Sequence, residues 1–142
     1  EIEITHIVQK MRKHQSHKSG NQYEKTKSSN TEFRIPNSEL INECGQLFKI
    51  DLSSYLDTGL FFDHRPLRNT VRETCNKSVL NLFCYTGSFS VYAASGNAKK
   101  VESVDMSNTY LDWAKENMIK NGFDVTQATI SRDIKELGII TK

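Results

Sequence analysis

The sequence predicts an α/β fold, an incomplete parallel sheet with its helices behind a short β-containing N-terminal lead-in. Three observations predict it. A continuous apolar run, Val79-Leu-Asn-Leu-Phe-Cys84, ends in the tight turn Tyr85-Thr-Gly87; such runs suit strands buried in parallel sheets. A second strand pattern, Val101-Glu-Ser-Val-Asp105, ends on an acid. Helical patterns separate and follow the two, and strand, helix, strand, helix makes a right-handed crossover unit.

Each element has a local cause. Ile2, Ile4 and Ile7 alternate as in a strand and lead into a polar, basic stretch. Leu47, Ile50 and Leu52 mark a second short strand. Pro66 stands where proline opens a helix running to about Glu73. Ser88 is placed to cap a helix through Ala94, with Gly96 just past its end. Ser107 is placed to cap another, whose Tyr110, Leu111, Ala114 and Met118 share one face before Asn121-Gly122 ends it. In the tail, Thr126 would cap a helix with Ile130, Ile134 and Leu137 on one side and Gly138 at its end. The expected organisation is a lead-in over residues 1–53, the α/β unit over 54–124 and an amphipathic helical tail over 125–142.

Composition narrows the class. The 142 residues suit one domain, and no apolar run approaches the roughly 18 residues of a membrane span. Cys44, Cys75 and Cys84 include no Cys-x-x-Cys pair, so no metal site is expected, and reduced thiols in a cytoplasm fit best. The net charge of +2 is unevenly spread. Lys10, Arg12, Lys13, Lys18, Lys25 and Lys27 lie within twenty residues against a single acid, Glu24. That is the footprint of a phosphate-backbone partner, or of a solvated loop.

In an open parallel sheet, ligands bind beyond the carboxyl ends of the strands. That edge carries Asn81 to Gly87 and Asp105, a carboxylate 18 residues after Gly87 at the position that would hold ribose hydroxyls. A dinucleotide asks for Gly-x-Gly-x-x-Gly, whereas this turn has one glycine. S-adenosylmethionine has no phosphate; one glycine with Asn81, Thr86 and Asp105 meets its demands better. The alternative is a ligand-free turn with Asp105 capping the next helix. Trp113 and Cys84 read as packing residues.

Three stretches resemble one family: Tyr55-Leu-Asp-Thr-Gly-Leu-Phe-Phe-Asp-His-Arg-Pro66, Val79 to Ala94, and Val101 to Asn117. They are similar to the S-adenosylmethionine-dependent 23S rRNA methyltransferases, above all to the C-terminal, guanine-N7 half of the bifunctional RlmKL type. The basic stretch from Lys10 to Lys25 looks like that family's lead-in, and the likeness covers about residues 6–124. It implies an incomplete Rossmann-like methyltransferase domain. Phe61, Asp63 and Arg65 would close over the methionine end of S-adenosylmethionine. Asn81, Phe83, Tyr85, Thr86 and Gly87 would form the turn beneath it, Asp105 would bind the ribose, and Ser107 would stand beside it. Lys10, Arg12, Lys13, Lys18 and Lys25 would meet phosphates of 23S rRNA. Asp63 and Arg65 could equally form a plain ion pair, and Phe61 and Phe62 could be core. Guanine N7 carries its own lone pair, so no covalent enzyme intermediate is needed.

After Asp124 the likeness should supply a third strand and then the loop that positions the target base. Neither is legible, so no catalytic residue is assigned and a fragment with weak cofactor binding and little turnover is expected. Gly122 to Gly138 instead resembles the DNA-reading helix of arginine repressors, with Ser131 and Arg132 towards DNA. A lone recognition helix cannot dock as a helix-turn-helix, so a DNA-binding module, or an inactive remnant, is the alternative reading.

Overall fold

A computed structural model describes residues 38–55, 57–126 and the backbone of 130–131. The expected strand near Ile2, the basic lead-in residues Lys10, Arg12, Lys13, Lys18 and Lys25, and the tail beyond Ser131 lie outside the described residues.

The chain first forms a hairpin that the sequence showed only in part. Strands β1 (Glu39–Glu43) and β2 (Gln46–Ile50) pair antiparallel, with Glu43 opposite Gln46. Cys44 and Gly45 make the two-residue turn, both at positive φ, as hairpin twist demands. Residues 51–61 then lead through a 3-10 turn (Phe62–His64) into α1 (Arg65–Thr74), which has proline in its first turn.

The crossover unit follows as expected. Strand β3 (Ser78–Leu82), helix α2 (Ser88–Ser95), strand β4 (Lys100–Val104) and helix α3 (Asn108–Lys120) succeed one another, with β3 and β4 parallel. Ser107 caps α3, its Oγ accepting from the Tyr110 N–H at 3.4 Å. Gly87, not Ser88, is the residue before α2, at φ 72° and with no side-chain cap. The turn arrives there in a left-handed conformation in which no serine hydroxyl is placed to accept the orphan N–H groups.

Two further expectations are corrected. Ile130–Ser131, assigned from periodicity to a helix, form strand β5, parallel to β4 with Ser103 opposite Ile130 and Val104 opposite Ser131. A third strand is therefore present, and pairing with a strand already in place prevailed over local helical spacing. Strand β3 is also less covered than a central strand should be. It lies at one end of the order β3-β4-β5, and Leu80 and Leu82 are exposed among the described residues.

The core crosses residue 53 rather than dividing there. Phe48 and Ile50 of β2 pack with Leu60, Val91, Tyr92 and Met118, so the hairpin and the crossover unit share one interior. Helix α3 fixes β2 in an unusual way. Asn121 donates to the Leu47 carbonyl and accepts its N–H, both at 2.8 Å. Asn117 accepts the Lys49 N–H at 2.9 Å, and Trp113 Nε1 donates to the Lys49 carbonyl at 3.0 Å. Residues four apart on one helix face thus satisfy backbone groups two apart on a strand, as a neighbouring strand would.

Candidate functional site

The carboxyl ends of β3 and β4 bring two turns together. The first, Phe83 to Gly87, is held in strained backbone. Phe83 and Tyr85 have φ of 56° and 53°, a region that costs a residue with a Cβ about 1–2 kcal/mol. Gly87 is required twice over: φ is 72°, and a Cβ there would stand 2.7 Å from that of Ala114 on α3.

Several groups hold this turn. Thr86, fully buried, donates its hydroxyl to the Gly59 carbonyl, and its own carbonyl accepts from Asn117 Nδ2 at 2.9 Å. Gly59 lies against Trp113 so closely that a Cβ would overlap the indole. Asp105, just past β4, ties the two turns: Oδ2 accepts the Tyr85 N–H and Oδ1 accepts the Ser107 N–H, both at 2.9 Å. Since Ser107 is the helix cap, the carboxylate is not, and each Asp105 oxygen keeps a lone pair.

The expected residues therefore fall into three groups. Tyr85, Thr86, Gly87, Asp105 and Ser107 are brought together in these hydrogen-bonded turns. Asn81 sits deeper, donating to Ser90 Oγ at 2.9 Å, and so fixes β3 to α2. Phe83 projects outward, 69% exposed.

Phe61, Asp63 and Arg65 flank the turns differently. The Phe61 ring lies 5.3 Å from that of Tyr85, which meets Tyr110 edge-on at 4.5 Å. Phe61 and Phe62 are half-exposed, so neither is core. Asp63 is exposed beside His64, and Arg65 pairs with Glu43 at 3.2 Å rather than with Asp63. The ion pair that adjacency suggests is replaced by one that the fold supplies from β1.

Burial perturbs three groups around the site. The Cys84 thiol is pushed up from 9.0 to about 12, first by burial and then by the Asp105 charge. It is a packing residue and not a nucleophile at neutral pH. Tyr85 is raised by burial and then by Tyr110 and Asp57, and Tyr92 by burial and then by the hydrogen bonds its hydroxyl donates to its neighbours, Glu43 among them. The Tyr85 hydroxyl is buried near the Gly59 backbone, and its O–H donates to no acceptor among the described residues. A buried O–H in that state has a donor to offer a bound group.

The sequence missed three participants. Met106, 74% exposed beside Asp105, gives the edge an apolar face next to its carboxylate. Asn117 supports the turn from α3, and Arg68 is fully buried under the Phe61 segment. Exposed methionine after a strand-terminal acid was a local signal; the other two depend on contacts distant in sequence. Trp113 packs, as expected, with its ring 5.8 Å from Tyr55. Among the described residues no cluster of His, Cys, Asp and Glu could hold a metal, and no helix is long and apolar enough to cross a membrane.

Comparison with known proteins decides the family. Residues 26–137 match the model for S-adenosylmethionine-dependent methyltransferases. The chain belongs to that family. The methyltransferase match extends through most of the tail that resembles a repressor helix, in keeping with β5. The chain is 48% identical over 124 residues to Ribosomal RNA large subunit methyltransferase K of Neisseria meningitidis serogroup B, covering 87% of this chain and 33% of that one. It is equally 48% identical to Ribosomal RNA large subunit methyltransferase K/L of Shewanella sediminis, covering 87% of this chain and 16% of that protein. This methyltransferase chain thus spans a third or less of the length of both relatives. Among solved structures, that of SMU.776 complexed with SAH superposes with a TM-score of 0.65 at 33% identity, over 74% of this chain and 28% of that one.

Proposed function

We propose that the edge formed by Tyr85 to Gly87 and Asp105 binds S-adenosylmethionine, and that the activity it serves is methyl transfer to guanine N7 of 23S rRNA. The observation that carries the reading is Asp105. Its two oxygens are locked by backbone N–H groups from both turns, so the carboxylate is oriented before any ligand arrives, with a lone pair left on each oxygen for a pair of hydroxyls. Met106 offers an apolar face beside it, and the Tyr85 hydroxyl, whose O–H donates to no described group, offers a donor. The N-terminus of α2, just beyond Gly87, is the favourable end of a helix dipole for a carboxylate. These features fit an adenosyl amino acid better than a pyrophosphate.

The cofactor supplies a methyl on a sulfonium. The chain's own residues then have little proton work to do, because guanine N7 is already a nucleophile. Their task is to hold the methyl and the base in line and to exclude water. Phe61 and Arg65 close one side of the edge. The lead-in residues Lys10, Arg12, Lys13, Lys18 and Lys25 engage rRNA phosphates, which makes affinity fall steeply with salt. Relatives named as large-subunit rRNA methyltransferases support this substrate. The guanine-N7 half of the RlmKL type is the one that the Asp57 to Arg65 and Asn81 to Gly87 blocks resemble. No observation favours the DNA-binding alternative.

Calorimetry with S-adenosylhomocysteine tests the reading. Heat from the chain and none from folded Asp105→Ala is expected. No heat from the chain overturns it, as does unchanged binding by Asp105→Ala.

A further inference from the structure

We infer that Arg68 and Glu43 are positioning residues for the cofactor edge, holding the Phe61–Arg65 segment in its binding shape from beneath; the inference rests on the cofactor reading above. Neither side chain belongs to the edge itself. Arg68 is fully buried on α1, and Glu43 is nearly so at the end of β1.

The geometry of the pair is directional. Arg68 Nε and Nη2 donate to the two oxygens of Glu43, each at 2.9 Å, in the planar fork that only arginine provides. The third nitrogen, Nη1, donates at 2.9 Å to the carbonyl of Phe61. That carbonyl also accepts the His64 N–H at 3.2 Å, the bond that closes the turn carrying Asp63. Arg68 therefore grips the peptide at which the extended segment turns over. The guanidinium lies 6.0 Å from the Phe89 ring and 5.8 Å from the Tyr92 ring, so its plane is confined by both.

Glu43 acts on the same segment from its other end. Its Oε2 accepts Arg65 Nε at 3.2 Å, and its Oε1 accepts the Tyr92 hydroxyl at 3.0 Å. One carboxylate thus sets both the carbonyl at position 61, through Arg68, and the side chain at position 65, directly. Arg65 is half-exposed and uses only Nε in this contact, so the outer face of its guanidinium is presented and not consumed.

A buried pair of this kind is weak evidence for stability, since desolvation offsets much of its attraction. Its effect on shape is different. A lysine at position 68 would keep the charge but cannot bond two carboxylate oxygens and a carbonyl in one plane.

The test uses the whole chain and the variants Arg68→Lys and Glu43→Gln, with Asn121→Ala as a destabilised control away from the edge. Amide exchange across residues 61–65 reads the shape, and S-adenosylhomocysteine calorimetry reads its consequence, both below the unfolding temperature of every variant. Faster exchange in that segment and binding weakened about ten-fold, equivalent to about 1.4 kcal/mol of lost preorganisation, are expected from both pair variants. Asn121→Ala should leave affinity within about two-fold of the parent chain, well under that 1.4 kcal/mol step. Parent-like exchange at 61–65, or parent-like affinity in a folded Arg68→Lys, overturns the positioning role alone. An equal loss of affinity in Asn121→Ala also overturns it, by showing general destabilisation. A parent chain that gives no heat overturns the cofactor reading and this role together.

Discussion

The two turns at the proposed cofactor edge solve the same problem by opposite means. The second, from Asp105 to Ser107, is self-sufficient: its carboxylate and its serine cap satisfy local N–H groups within a few residues. The first, from Phe83 to Gly87, spends backbone strain at two non-glycine positions and has no side-chain cap for its helix. It is held from outside, by Asn117 on α3, Gly59 in the loop before α1, and Asp105 in the other turn. A locally capped turn is robust to distant change. A strained turn is only as well placed as its supports, which is how strain persists at binding edges.

The contrast can be broken most severely at Gly87. Gly87→Ala puts a Cβ into left-handed backbone and against Ala114, and should cost about 3 kcal/mol in denaturant unfolding, with loss of S-adenosylhomocysteine heat. Asn117→Ala comes next. It leaves the Lys49 N–H and the Thr86 carbonyl without their buried partner, and about 2 kcal/mol is expected by the same measurement.

Alkaline pH separates the turns further, because the first contains Cys84 and the second has no buried thiol. Its folded value of about 12 lies above the ordinary 9.0, so its contribution is fully present below pH 9 and is lost as pH rises towards 12. Between pH 9 and 10, the parent chain should lose about 1 kcal/mol more stability than Cys84→Ala, measured by parallel denaturant melts. The smallest effect belongs to the self-capped turn. Ser107→Ala should cost about 1 kcal/mol or less and leave the Phe83 to Gly87 amides exchanging as in the parent chain. A larger loss that spreads to the first turn would show that the two are not independent.

What the sequence disclosed follows the range of the interactions. The crossover unit was legible because its signals are local: an apolar run, one glycine, a cap and a periodic helix face. Strand β1 was missed because Glu39 to Glu43 is mostly polar and its turn reads Cys44-Gly45, where Asn-Gly would have announced a hairpin. Strand β5 was missed because Ile130, Ile134 and Leu137 carry helical spacing, whereas its pairing partner is β4, over 20 residues away. At the proposed edge, Asp105 and Gly87 were read from position along the chain, and Ser107 from its place before a helical pattern and from the family resemblance. Arg68 was not, since its partners Glu43 and Phe61 lie 25 and 7 residues away and no local pattern marks a buried arginine.

The amide and indole groups of α3 along β2 have one more consequence. A strand approaching that side of β2 would have to displace groups already tethered in place, whose effective concentration is on the order of millimolar or higher. The hairpin is thereby insulated from the parallel sheet: β2 cannot be recruited as a fourth member, and the two sheets stay separate. Residues 51–61 must then bridge them. That bridge is tied in its turn to the crossover unit, where the Gly59 carbonyl accepts the Thr86 hydroxyl and the Phe61 ring lies 5.3 Å from that of Tyr85.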